Sequence, residues 1–264
     1  MNKRETILRR FLEKMPLALA LPRANECLAF EKVKLGRPVL DIGCGDGLFA
    51  QLAFGKGVIE VGLDLNPEEI KLALKNKVYQ QAVVARVVQI PFPTGFFQTV
   101  IANSSMEHFE GDLSIVLKEI RRVLQKDGRL FLTVPRPVIS NHLFFGQLLK
   151  KLGLGRLGES YIDFRQRLWR HHHLLEVEAW QGVLENAGFK LVQSWTLIPK
   201  EVVAINDLSY FLAWPYALLK KWMRVNLVWR PAWLNRLLSR KLVKYCEVYK
   251  DKRGTTTFIE AIKA

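Results

Sequence analysis

The chain is short of cysteine, of acid and of long apolar runs, and each shortage excludes something. Three cysteines in 264 residues, Cys27, Cys44 and Cys246, are too few and too scattered for a disulfide framework, and none forms a CxxC metal pair. A reducing, cytoplasmic setting is the expectation. No window approaches the roughly 20 uncharged residues of a membrane span. The basic N-terminus (Lys3, Arg4, Arg9, Arg10) runs into an apolar stretch broken by Glu13, Lys14 and Pro16, a poor signal peptide. Acids number 25 against 40 Lys and Arg, for a formal charge of +15 and a pI near 9.9. That imbalance favours an anionic partner: nucleic acid, an acidic membrane surface or a phosphorylated substrate. With 49% hydrophobic residues, the length suits one large domain, or one domain with an elaboration.

What is present centres on residues 39–49, VLDIGCGDGLF. A short apolar run reads as a buried parallel strand, glycines follow at 43, 45 and 47, and Leu48, Phe49, Leu52 and Ala53 continue at helical spacing. Glycine accepts positive φ and lets a ligand approach backbone, and a helix start presents free N–H groups. A dinucleotide loop has the spacing G-x-G-x-x-G; this one is G-x-G-x-G, with Asp41 before it and Asp46 inside it. Two carboxylates repel a pyrophosphate and suit a cationic ligand such as S-adenosylmethionine, which carries a sulfonium and an ammonium. The run resembles motif I of the class I S-adenosylmethionine-dependent methyltransferases, D-x-G-C-G-x-G. A dehydrogenase is disfavoured by the glycine spacing.

Residues 58–65 read as a second strand, and its Asp64 follows the loop by roughly the twenty residues expected of a ribose-binding acid. Asn66 caps a helix with Pro67 at its first position and Glu68 and Glu69 in its first turn. Residues 83–88 read as a third strand, and 99–102 as a fourth. Residues 90–101 resemble the family's "D-A-x-x-L-P-F-x-D-x-x-F-D-x-V" block with departures: the acid expected at adenine falls at Arg86, and later acids fall at Thr94, Gly95 and Gln98. The resemblance leaves the backbone of Val87 to read adenine. Residues 103–108, NSSMEH, resemble the family's "N-S-x-x-E-H" segment, which implies Asn103 and Ser104 on the methyl-transfer side and Glu107 and His108 as brace or base. Asp112 caps a helix to Leu124, and Asp127-Gly128 turns into a strand at 130–134. The stretch RVLQKDGRLFLTVP matches the family's R-V-L-K-P-G-G-x-L block.

Residues 1–34 read as helical, with Ile7, Leu8, Phe11 and Leu12 on one face and Pro16 and Pro22 breaking the run. Residues 136–173 read as irregular, with Tyr161, Arg165 and Arg167 as candidates to meet a polar or anionic acceptor. His171-His172-His173 is poorly spaced for a metal, because consecutive residues do not converge. A helix at 176–186 and strands at 189–198 and 255–262 complete the pattern. Residues 199–252 are an excess over the hairpin that would suffice there. They hold Trp214, Trp222, Trp229 and Trp233 among eleven Lys and Arg, with only Glu201, Asp207, Glu247 and Asp251 opposing. Tryptophan and cations suit an anionic lipid surface; they also suit RNA, or a helical subdomain with a solvated basic face.

The expectation is therefore an α/β, Rossmann-like, doubly wound, mostly parallel seven-stranded sheet with an antiparallel last strand and a helical insert before it. The segments are a helical leader (1–35), a methyltransferase domain (36–198 and 254–264) and a basic, Trp-rich insert (199–253). The resemblance implies S-adenosyl-L-methionine held by Asp41, Gly43, Cys44, Gly45, Gly47, Asp64, Leu65, Val87, Asn103 and Ser104. His108, His171 and His173 are the candidate bases, with no metal. The expected reaction moves a methyl group to a small-molecule, lipid or lipid-linked glycan acceptor, with peripheral contact to the inner membrane face. A non-catalytic scaffold of the same fold and an RNA methyltransferase are the alternatives.

Overall fold

The computed structural model describes residues 2–31, 33–213, 215, 218, 222–223, 228 and 230–264. Trp214, Tyr216, Lys220, Lys221, Arg224 and Trp229 of the insert lie outside the described residues. The chain divides into two compact units. One is made of Lys32–Arg136, His172–Trp195 and Thr257–Ala264; the other of Met1–Glu31, Pro137–His171 and Thr196–Thr256.

The strands are β1 (Val39–Ile42), β2 (Ile59–Asp64), β3 (Tyr79–Val84), β4 (Phe97–Asn103), β5 (Leu124–Pro135), β6 (Phe189–Leu197), β7 (Val248–Tyr249) and β8 (Thr256–Lys263). Their order is β3-β2-β1-β4-β5-β8-β6-β7. The first five run parallel, and β7 pairs antiparallel with the end of β6. The sheet thus has eight strands, not seven, the extra one being the two-residue β7 inside the expected insert. All four β1 residues are buried, as a central parallel strand requires. The chain runs outward from β1 through β2 and β3, then returns to place β4 on the other side of β1. That reversal is the switch point at whose carboxyl edge open α/β sheets bind ligands.

Local signals set the helices of this unit: α3 (Leu48–Ala53), α4 (Pro67–Asn76), α5 (Leu113–Val123) and α8 (Val177–Asn186). The Asn66 side chain accepts from Glu68 N–H, and Asp112 accepts from Ser114 N–H at 2.8 Å. Leu113, Val116, Leu117, Ile120 and Val123 bury one face of α5 in the core that includes Leu40, Val100, Leu132 and Trp180. Each such side chain contributes about 1.5–3 kcal/mol on burial. The third strand lies earlier than 83–88. The chain leaves the sheet at Ala85, whose N–H bonds the Asp64 carbonyl, and Val87 and Val88 pack on the core from a turn. Strand β5 starts at Leu124, and the Asp127-Gly128 turn survives as an irregularity between the pairs Phe97–Leu124 and Thr99–Arg129.

The second unit contains α1 (Lys3–Lys14), α2 (Leu17–Phe30), α6 (Phe144–Lys151), α7 (Gly155–Trp169), α9 (Lys200–Ser209), α10 (Ala232–Leu242) and β7. Residues 136–173, expected to be irregular, are mostly the α6–α7 hairpin. Pro16 separates α1 from α2 as expected, but Pro22 sits inside α2. Proline cannot donate to the carbonyl four residues back, here Ala18. Asn206 Nδ2 donates to that carbonyl at 2.6 Å, so a tertiary bond replaces the missing helical one. Among the described residues, no helix is long and apolar enough to cross a membrane.

Burial holds four groups protonated. The Cys27 and Cys246 thiols are pushed up to about 12, Cys44 goes higher still, and Tyr79 lies well above the usual phenol range, in each case through desolvation first. The folded values exceed the unfolded ones, so this contribution is complete below the usual thiol and phenol values and is lost as pH rises through the folded ones. Unfolding free energy is expected to fall from about pH 9 upward, each group adding a slope approaching about 1.4 kcal/mol per pH unit. Urea titrations at pH 8, 9, 10 and 11 read it; a flat profile contradicts it.

Candidate functional site

The loop after β1 is held to its neighbours by backbone. Gly43 and Cys44 N–H groups both bond the Leu63 carbonyl, at 2.8 and 3.1 Å, and Gly47 N–H bonds the Cys44 carbonyl. Gly43 has φ +70°, and a Cβ there would meet the Ser105 Cβ at 2.5 Å. Ser105 is fixed by its Oγ–H bond to the Ile42 carbonyl at 3.0 Å. Gly45 is different. Its φ is +53°, yet the nearest atom to an added Cβ is Glu69 Oε2 at 3.9 Å. The Gly45 N–H donates to Asp64 Oδ2 at 2.9 Å, while Asn66 N–H donates to Asp64 Oδ1 at 2.8 Å. Each carboxylate oxygen keeps a second lone pair. The end of β2 is thus tied to the middle of the glycine loop through a half-buried carboxylate. Leu65, next in sequence, is 65% exposed beside it.

Below the loop sits a residue that sequence reading did not single out. Tyr79, at the start of β3, lies against Gly47 and Gly62, where added Cβ atoms would meet its ring at 3.0 and 2.8 Å. Its hydroxyl donates to Asp41 Oδ2 at 2.6 Å. Asp41 is only 6% exposed, so its charge acts on the loop from beneath. Asp46 is also buried, and its Oδ1 accepts from Leu48 N–H at 3.0 Å, across the turn that leads into α3. After burial, Asp41 and Asp64 are the largest influences raising the Cys44 thiol, which places a negative field at the loop of a strongly basic chain.

The segment after β4 is ordered by Thr133, another residue without a sequence signal. Its Oγ1–H donates to Asn103 Oδ1 at 2.8 Å, and the same oxygen accepts from Ser104 N–H at 2.8 Å. Ser104 takes φ +45°, an uncommon conformation for a residue with a Cβ. His108 is exposed, with Nε2 3.9 Å from Glu107 Oε1. The Glu107 carbonyl accepts from the N–H groups of His172 and His173, at 2.7 and 3.3 Å. His108 and His173 are therefore carried by segments that meet at Glu107. His171 falls in the helical unit, its ring 5.3 Å from that of Trp169. Arg86 is exposed and Val87 half-buried.

Two residues expected at an anionic acceptor are committed elsewhere. Arg165 and Asp207 are fully buried, with Nε to Oδ1 at 3.3 Å, and the Tyr161 hydroxyl donates to Asp207 at 2.6 Å. Tyr161 and Arg165 therefore hold the helical unit together instead of meeting an acceptor; Arg167 is exposed.

Gly43→Ala is expected to cost about 2 kcal/mol or more, through the left-handed backbone and the Ser105 contact. It should weaken nucleoside binding at least tenfold. Adding Ser105→Gly should restore part of both, as read by urea unfolding and calorimetry. An alanine variant indistinguishable from wild type would show the loop is not held this way.

The donor set fits a sulfonium nucleoside: an uncrowded main chain at Gly45, paired acceptors at Asp64, a bare apolar side chain at Leu65 and negative charge under the loop. Comparison with known proteins agrees. Residues 6–194 match the family model described as a methyltransferase domain. The chain is 35% identical over 107 residues to a malonyl-[acyl-carrier protein] O-methyltransferase of Legionella pneumophila, covering 38% of this chain and 37% of that protein. It is 29% identical over 159 residues to a demethylmenaquinone methyltransferase of Chlorobaculum tepidum, covering 58% and 65%. The chain thus spans from about a third to about two thirds of these relatives' length. A solved methyltransferase of Thermotoga maritima, described as a possible histamine N-methyltransferase, superposes with a TM-score of 0.61 at 16% identity, covering 98% and 99% of the two chains. The chain belongs to the methyltransferase domain family, the class I S-adenosylmethionine-dependent methyltransferases.

Proposed function

We propose that this chain moves a methyl group from S-adenosylmethionine to a small-molecule or lipid-type acceptor. The observation that carries the reading is the Gly45–Asp64 bond at the switch point, which presents main-chain groups and a carboxylate together. The cofactor, when bound, supplies an electrophilic methyl on a positively charged sulfur. Asp64 accepts from the ribose hydroxyls, Leu65 and the Val87 backbone flank adenine, and residues 43–47 hold the methionine end over Asp41. Asn103 and Ser104, fixed by Thr133, line the transfer side. An oxygen acceptor must give up its proton, and His108, His173 and His171 are the candidate bases. Exclusion of water and alignment of the acceptor atom supply the rest.

Two relatives are named for malonyl-acyl-carrier-protein and demethylmenaquinone acceptors, which supports an acceptor of small or lipid-like kind. Within the helical unit, Trp222 and Trp233 are 82% and 65% exposed, which supports peripheral contact of the 199–253 segment with an anionic membrane on the cytoplasmic side. A non-catalytic scaffold remains the second reading, favoured by the exposed Arg86 where the family places an acid.

Calorimetry with S-adenosylmethionine, followed by a tritiated-methyl transfer screen over lipid, glycan and RNA fractions, separates these. Binding with transfer to a lipid or small-molecule fraction is expected. Binding with no transfer to any fraction establishes the scaffold, and transfer to RNA alone establishes the nucleic-acid alternative.

A further inference from the structure

The α6–α7 hairpin turns apolar side chains outward. Phe144, Leu148 and Leu152 are spaced by four residues along α6 and its end, and Leu157, Phe164 and Leu168 line α7; all six are exposed. Every residue from 151 to 157, KLGLGRL, is exposed, with Leu152 at 65%. The helices do not need these leucines to pack. A Cβ on Gly146 would stand 2.7 Å from Ile162 Cγ1, and one on Gly158 would stand 2.8 Å from the Gly146 carbonyl oxygen. Close approach at those two glycines joins the helices, and the leucines beyond it are left over.

Residues 148–157 contain Lys150, Lys151 and Arg156 and no acid. The nearest acids are Glu159, 3.9 Å from Lys150 Nζ, and Asp163 along α7. Protein interfaces favour aromatic residues and are depleted of lysine, whereas this tip has two lysines and no aromatic ring between 148 and 157. Leucines ringed by cations match an anionic bilayer: the apolar side chains enter the acyl boundary and the cations meet lipid phosphates.

We propose that the α6–α7 tip inserts shallowly into an anionic bilayer surface. This rests on the reading of a membrane-facing methyltransferase, and adds an inserting tip to the peripheral contact of the Trp-rich segment. The cations bring the tip to the surface and the leucines hold it there.

Flotation of the full chain with vesicles of phosphatidylcholine containing 30% phosphatidylglycerol, against phosphatidylcholine alone, tests it. Wild type is expected to float with the anionic vesicles only. Leu152→Glu/Leu157→Glu should lower partitioning at least tenfold, and Lys150→Glu/Lys151→Glu should lower it about as much. Trp222→Glu/Trp233→Glu, which removes only the peripheral contact, should lower it by less than the leucine variant does. The proposal is overturned if wild type does not float, or if the leucine variant floats like wild type. It is also overturned if wild type is a dimer that the leucine variant converts to monomer. Calorimetry with S-adenosylmethionine on the same proteins keeps the outcomes apart. Binding without flotation removes the hairpin proposal alone, and flotation without binding removes the methyltransferase reading alone.

Discussion

Arg165→Met is expected to destabilise the helical unit by about 3–5 kcal/mol, because it strands a buried carboxylate. Asp207 is fully buried and accepts from the Tyr161 hydroxyl at 2.6 Å and Phe145 N–H at 3.0 Å, with Arg165 Nε at 3.3 Å supplying the opposite charge. The guanidinium also lies over the Tyr210 ring at 3.9 Å. Taking two charges out of water is costly, and the pair is stable only while both are present. Removing one leaves the full desolvation cost of the other. Removing both, as Arg165→Met/Asp207→Leu, should therefore cost less than the two single changes added together, by more than about 1 kcal/mol. Urea unfolding gives the magnitude, and amide exchange on α7 and α9 gives the place. A single-variant loss below about 1 kcal/mol would mean the pair is not enclosed as described.

That same pair shows where sequence reasoning stops. Tyr161 and Arg165 read as acceptor ligands because aromatic and cationic residues in a glycine-containing stretch look like a loop. Nothing local identifies Asp207, which is far off in sequence and makes both of them structural. Pro22 is a similar case: its effect on a helix is a local rule, but the Asn206 donor that offsets it is 184 positions away. Tyr79 likewise gives no signal, since its value lies in reaching Asp41 under the loop. What was legible is what local physics decides. The apolar run of β1 followed by alternate glycines, the Asn66 and Asp112 caps, and an acid at the end of β2 each depend on a few neighbouring residues. These local features are enough to place the sheet, the switch point and the loop. The exposed hairpin leucines were present in the sequence too, but only the packing at Gly146 and Gly158 shows that nothing within the hairpin needs them.

Asp64→Ala is expected to lower affinity for S-adenosylmethionine by about 10²–10⁴-fold, from the loss of two hydrogen bonds to a charged acceptor at about 1.5–3 kcal/mol each. The effect on the free protein is not zero, because the carboxylate also receives Gly45 and Asn66 N–H groups. Leaving those donors without it should cost about 1–3 kcal/mol of stability. Loop disorder and lost ribose contact would both weaken binding, so affinity alone does not assign the residue. The ligand supplies the missing arm. Wild type should bind the 2′-deoxy analogue at least tenfold more weakly than the parent nucleoside, since one acceptor lone pair loses its donor. In the alanine variant, the two nucleosides should bind alike, because the group that told them apart is gone. Equal discrimination by both proteins would put the ribose elsewhere and leave Asp64 as a brace for the glycine loop; discrimination that vanishes with the carboxylate requires direct contact, which no amount of loop loosening reproduces.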